Sequence, residues 1–85
     1  MPEEQRLGFV GIIVDNREQS AEPVNAVLSR YADAIVARVG IPYSRKGCCV
    51  ITLVVDTTSD ELGALTGKLG VLPGVSVKSA LAKGG

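Results

Sequence analysis

Apolar residues recur along this chain with two periods, and the switches between them mark out its elements. Residues 7–14 form a short apolar run with several β-branched side chains, and the polar Asp15-Asn16-Arg17 ends it. Such a run predicts a strand followed by a loop. Ser20 is a good N-cap, and Pro23 suits a first helical turn, where no N–H donor is needed. Val24, Val27, Leu28 and Tyr31 then fall at i, i+3, i+4 and i+7, one face of a helix that Asp33 closes.

A second strand is predicted over 35–41, stopped by Pro42, with a hairpin-like turn at Ser44-Arg45-Lys46-Gly47. Residues 48–55 are the most strongly β-favouring stretch of the chain and form a third strand. Thr58 followed by Glu61 has the form of a capping box. It opens a helix whose apolar face is Leu62, Leu65 and Leu69. Gly70 stands where a left-handed residue closes a helix. Pro73-Gly74 is a turn, and residues 75–81 make a last strand.

The resulting order is βαββαβ. It predicts an α+β, ferredoxin-like fold: a four-stranded antiparallel sheet with two helices on one face and the first and third strands in its centre. Both central strands are apolar on both faces. Ile51, Leu53 and Val55 alternate with Val50, Thr52 and Val54, while Phe9 and Ile13 alternate with Val10, Ile12 and Val14. The helices cover one face and leave the other. Arg38 in the second strand, with Ser76 and Lys78 in the fourth, reads as a polar rim around an apolar centre, the pattern of an interface. The expectation is a homo-oligomer, dimer or tetramer, built through the open sheet face, an edge strand, or both.

Length supports this expectation. At 85 residues the chain is expected to be one domain with its core over about 7–81. A chain of this size buries only about 60–65% of its unfolded surface, so it gains from self-association. Aromatic residues make up 4% of the chain, which leaves an aliphatic core.

Charge and composition remove several function classes. Nine basic and nine acidic residues cancel, which argues against a nucleic-acid partner. The runs Glu3-Glu4 and Arg45-Lys46 are too short to be charged tails. No apolar run approaches the roughly 20 residues of a membrane span, and the start Met1-Pro2-Glu3-Glu4-Gln5-Arg6 does not read as a leader. Lys83-Gly84-Gly85 reads as a frayed end.

The absence of histidine removes the commonest neutral-pH base and the commonest metal ligand. Cys48 and Cys49 are adjacent, so on a strand they point to opposite faces and a disulfide between them would strain the backbone. They read as reduced thiols of a cytoplasmic protein, packed as small hydrophobes, with a redox or metal role as the alternative. No cofactor is expected.

A C-x-x-C pattern is missing from the first β–α loop, Phe9 is the only aromatic of the first strand and the third strand has none for stacking bases, and no cluster of candidate bases is visible near a nucleophile. Lys68 follows Gly67, but the P-loop spacing and its strand-to-helix setting are both absent. The expectation is a protein that is not an enzyme. Gly63, Gly67 and Gly70 interrupt the second helix, each at a cost of about 0.5–1 kcal/mol relative to alanine. Two readings compensate for that cost: close packing of the helix on a neighbour, or close approach of a ligand to bare backbone at Gly63 and Gly67.

The stretch Asp60-Glu61-Leu62-Gly63-Ala64-Leu65-Thr66-Gly67-Lys68-Leu69-Gly70, continued by Pro73-Gly74-Val75-Ser76-Val77-Lys78, resembles the family of iron-only hydrogenase system regulators. Ile13-Val14-Asp15-Asn16-Arg17-Glu18 and Arg38-Val39-Gly40-Ile41-Pro42 share in the resemblance, which runs over nearly all of residues 7–78. It implies an ACT-like fold related to the C-terminal domains of nickel-responsive regulators. Nickel sensing through histidine is not open to this chain. The ribbon-helix-helix DNA-binding part of those regulators is not seen either, so any transcriptional role is expected to run through a partner.

The resemblance further implies a small-molecule effector bound near the first β–α loop. The candidate residues are Asp15, Asn16 and Arg17, which otherwise read as a plain surface turn, joined by Gly63 and Gly67 if the second helix approaches. The alternative is a scaffold that assists maturation of a metal-cluster enzyme, with Cys48 and Cys49 as its working groups.

Overall fold

The four apolar runs pair into one sheet. In the computed structural model, which describes residues 4–43 and 47–84, the elements are β1 (Arg6–Val14), α1 (Arg17–Arg30), a 3₁₀ turn (Ala32–Ala34), β2 (Ile35–Tyr43), β3 (Cys48–Thr57), α2 (Ser59–Gly70) and β4 (Val75–Leu81). The predicted turn at Ser44–Lys46, with its Arg45-Lys46 pair, and the end residues Met1–Glu3 and Gly85 lie outside the described residues. The strand order is β2-β3-β1-β4 and every pairing is antiparallel, the ferredoxin-like plan with β1 and β3 central.

Register decides which apolar set is buried. Val10 lies opposite Leu53, Ile12 opposite Ile51 and Val14 opposite Cys49, and all six are buried beneath the helices. Val24 and Leu28 of α1 and Leu62, Leu65 and Leu69 of α2 complete the core, with Val27 and Tyr31 packed against it. Both helical faces read from the sequence are therefore the buried ones. Gly8 has a specific task in this layer. A Cβ there would come within 2.4 Å of the Ala80 carbonyl and 2.7 Å of Leu81 Cδ2, so the glycine admits the end of β4 against β1.

Four local expectations are corrected. First, α1 starts at Arg17 with Asn16 as its cap; the Asn16 side chain accepts from the Gln19 N–H. Ser20 lies inside the helix, buried, and its hydroxyl donates to the Pro73 carbonyl at 2.7 Å. A tertiary hydrogen bond thus takes the side chain that the capping pattern assigned to the helix start. Second, β2 runs through Pro42 to Tyr43. Proline offers no N–H, and an edge strand tolerates it because only one side of the strand is paired.

Third, Gly70 is not left-handed. The chain leaves α2 through right-handed Val71, and the Leu72 N–H returns to the Leu69 carbonyl. Among the described residues, the left-handed ones are Gly47 and Gly74, with φ of +62° and +69°. Thr58 does cap α2, accepting from the Glu61 N–H, while the hydroxyl of buried Thr57 donates a hydrogen bond to the Glu61 carboxylate.

Fourth, the open sheet face has no complete polar rim. Arg38 pairs opposite Leu53, so it belongs to the helix side. The uncovered side of β2 carries Ala37, Val39, Ile41 and Tyr43, which share a face with Val50, Val54, Phe9 and Ile13. Polar side chains on this face are Ser76 and Lys78 along β4, Thr52 in the middle and Asp56 toward one end. The apolar surface therefore runs out to the β2 edge. Its side chains are well exposed, Phe9 at 53% and Ile41 at 58%.

Leu53 sits at the centre of the buried face with no exposed surface. Leu53→Ala is expected to lower stability by about 2–5 kcal/mol. Urea unfolding followed by circular dichroism measures it, and a loss well below that range would mean the core is not centred on this strand.

Candidate functional site

The β1–α1 turn, where a ligand site was expected, is built largely from backbone. The Asp15 N–H donates to the Gly74 carbonyl at 2.8 Å and the Arg17 N–H to the Gly47 carbonyl at 3.0 Å. The Asn16 carbonyl receives the Ser20 N–H while its side chain caps the helix. Left-handed Gly74 packs directly over this turn; a Cβ there would lie 3.5 Å from Asp15 Cβ. Asp15 and Asn16 thus hold the entry of α1 against the Pro73-Gly74 turn, and Arg17 borders a cavity.

That cavity is a cleft of about 220 Å³ between α1 and β2 on the helix side of the sheet. Arg17, Ala21 and Asn25 line it from α1, spaced i, i+4 and i+8, one stripe of the helix. Arg38, Gly40 and Pro42 line it from β2, spaced i, i+2 and i+4, one face of the strand. Val14, Cys49 and Ile51 form its buried floor. Arg38 donates to Asn25 Oδ1 across the cleft. Sequence reading missed Asn25, Arg38 and Gly40 as a group. The available signal was the polar and glycine alternation on the face of β2 that should have been covered by helix.

Gly63 and Gly67 are not part of this arrangement. Both are exposed on α2, with open space where a Cβ would stand, and neither touches the β1–α1 turn. The two helices meet elsewhere, through Lys68. Its ammonium donates to the Tyr31 hydroxyl at 2.9 Å.

Cys48 and Cys49 are free thiols. Cys48 lies opposite Tyr43 on the uncovered face, half-buried, while Cys49 is buried in the cleft floor. Facing opposite sides of one strand, they cannot share a metal ion. Among the described residues, no three Cys, Asp or Glu side chains gather into a metal-binding group. No helix among them is long and apolar enough to cross a membrane.

A family model described as "TM1266-like: Iron-only hydrogenase system regulator, putative" matches residues 6–79. The chain belongs to the TM1266-like family. No curated protein matches it. Among solved structures, the uncharacterized protein TM1266 from Thermotoga maritima is 39% identical, with a TM-score of 0.90 over 94% of this chain and 100% of that one.

The ACT domain of the GTP pyrophosphokinase from Chlorobium tepidum is 22% identical, with a TM-score of 0.70 over 89% of this chain and 86% of that one. A formyltetrahydrofolate deformylase from Pseudomonas putida KT2440 is 11% identical, with a TM-score of 0.62 over 87% of this chain and 28% of that one. These last two likenesses concern the fold alone, and the TM1266-like chain described here has an ACT-like, ferredoxin-like architecture.

The exposed glycines of α2 give a direct test of the two readings of that helix. With free space above them, Gly63→Ala and Gly67→Ala are each expected to raise stability by about 0.5–1 kcal/mol. Guanidinium unfolding reads this out, and a loss instead of a gain would show that a neighbouring molecule uses the bare backbone.

Proposed function

We infer that this protein is a non-catalytic regulatory module of an iron-only hydrogenase system, that it acts in the cytoplasm, and that it works as an assembly of its own copies with a small-molecule effector. Membership of the TM1266-like family supports the regulatory setting. The observation that carries the assembly is the uncovered sheet face, where Phe9, Ile13, Val39, Ile41, Val50 and Val54 stand exposed together. A contiguous apolar surface of this kind marks an interaction site.

Several features favour a second copy as its cover, and the face rather than the edge as the contact. The net charge is zero, so copies do not repel one another. The β2 edge is blunted in two ways: the register shifts between Ile35 and Ala37, and Pro42 lacks a donor. Bulges and prolines are the devices that keep edge strands from pairing. On the uncovered face the charged residues among those described flank the apolar stretch from Phe9 to Ile41: Asp56 opposite Leu7 beyond its end, and Lys78 opposite Gly11 on the β4 edge.

Sedimentation at micromolar concentration is expected to show an oligomer. Ile41→Glu and Phe9→Lys, both at exposed positions, are expected to shift it to monomer while leaving the circular dichroism spectrum unchanged. A folded wild-type monomer under those conditions would sink the assembly reading.

A further inference from the structure

The cleft between α1 and β2 combines three properties that suit one kind of ligand. Its floor is apolar, made by the buried side chains of Val14, Cys49 and Ile51. Arg17 and Arg38 are among the residues of its walls, with the Arg38 guanidinium reaching across it to Asn25, and no carboxylate residue lines it. The positive charge is therefore not neutralised inside the cleft. Arg38 is already oriented by its bond to Asn25 Oδ1, which uses one of five guanidinium donors and leaves the others for an acceptor.

The third property is space. Gly40 keeps the β2 wall bare: a Cβ there would find its nearest neighbour, Ile51 Cγ1, at 3.9 Å. The room above the floor exists because this position has no side chain. An apolar floor below and planar, forked donors at the sides match a carboxylate attached to a compact hydrocarbon body.

We propose that this cleft is the effector site and that it takes a small carboxylate with an apolar body. The proposal rests on the effector half of the functional reading and names its ligand class. It also places the ligand against the strand that serves assembly. Ile41 lies at the cleft edge and its strand presents Val39, Ile41 and Tyr43 on the uncovered face. A ligand bound here would bear on the position of β2, and thereby on the surface that copies share.

The test uses the full chain, labelled with ¹⁵N, and four probes. Hexanoate has both charge and body. Acetate has the charge alone, hexanamide the body alone, and inorganic phosphate a stronger charge with no body. Amide shifts of Arg17, Gly40 and Cys49 are followed during titration. Hexanoate is expected to saturate these shifts and to bind at least about tenfold more tightly than each of the other three.

Gly40→Val fills the room without removing a charge, and Arg38→Gln removes a charge without filling the room. Each is expected to weaken hexanoate binding by about tenfold or more. Binding of hexanoate no tighter than acetate, hexanamide or phosphate overturns the proposal, and so does unchanged binding by both variants. The two readings fail separately: hexanoate binding by a chain that sediments as a monomer removes the assembly alone, whereas an oligomer that ignores hexanoate removes the cleft alone.

Discussion

The pairing of β1 with β3 governs the rest of this molecule. Nine consecutive residues of β1, from Arg6 to Val14, lie in register with Thr57 to Cys49. Because side chains alternate along a strand, this one register places Val10, Ile12 and Val14 beside Leu53, Ile51 and Cys49 on one side. It necessarily places Phe9 and Ile13 beside Val54 and Val50 on the other. A slip by one residue would exchange the two sets. Both α-helices of the described residues pack on the first side. An uncovered apolar face follows from the same pairing that makes the core.

A second set of contacts ties the ends of the elements together. The Pro73-Gly74 turn receives the Ser20 hydroxyl and the Asp15 N–H, so the start of α1 and the start of β4 are held at one point. Tyr31 and Lys68 join the helices further along. With α1 anchored by its first turn, its Arg17–Ala21–Asn25 stripe faces β2 without closing on it. The small residues Ala21 and Gly40 leave space between the two walls, which the Arg38–Asn25 hydrogen bond spans. The cleft is thus a product of how far α1 reaches across the sheet.

Much of the architecture was legible because it depends on local period and on caps. The helical faces Val24–Leu28 and Leu62–Leu65–Leu69, the Thr58 cap and the central positions of β1 and β3 follow directly from such signals. What misled the reading were residues whose partners lie far away in the chain. Ser20 looks like a cap, but its hydroxyl is taken by a carbonyl 53 residues distant. Pro42 looks like a strand end, but its position at a sheet edge removes the penalty. Arg38 looks like rim, but the register shift between Ile35 and Ala37 turns it to the helix side.

The sequence by itself determined the order of elements, the double-sided apolarity of the central strands and the lack of histidine chemistry. These are properties of residue type and spacing, which need no knowledge of distant neighbours. Tertiary structure alone decided that the apolar face extends to the β2 edge and that Arg17 and Arg38 share a cleft with Asn25. It also decided that Asp15 and Asn16 are engaged in holding a turn. Each of these depends on register and on the reach of α1 over the sheet, and both are set by contacts between residues far apart in sequence.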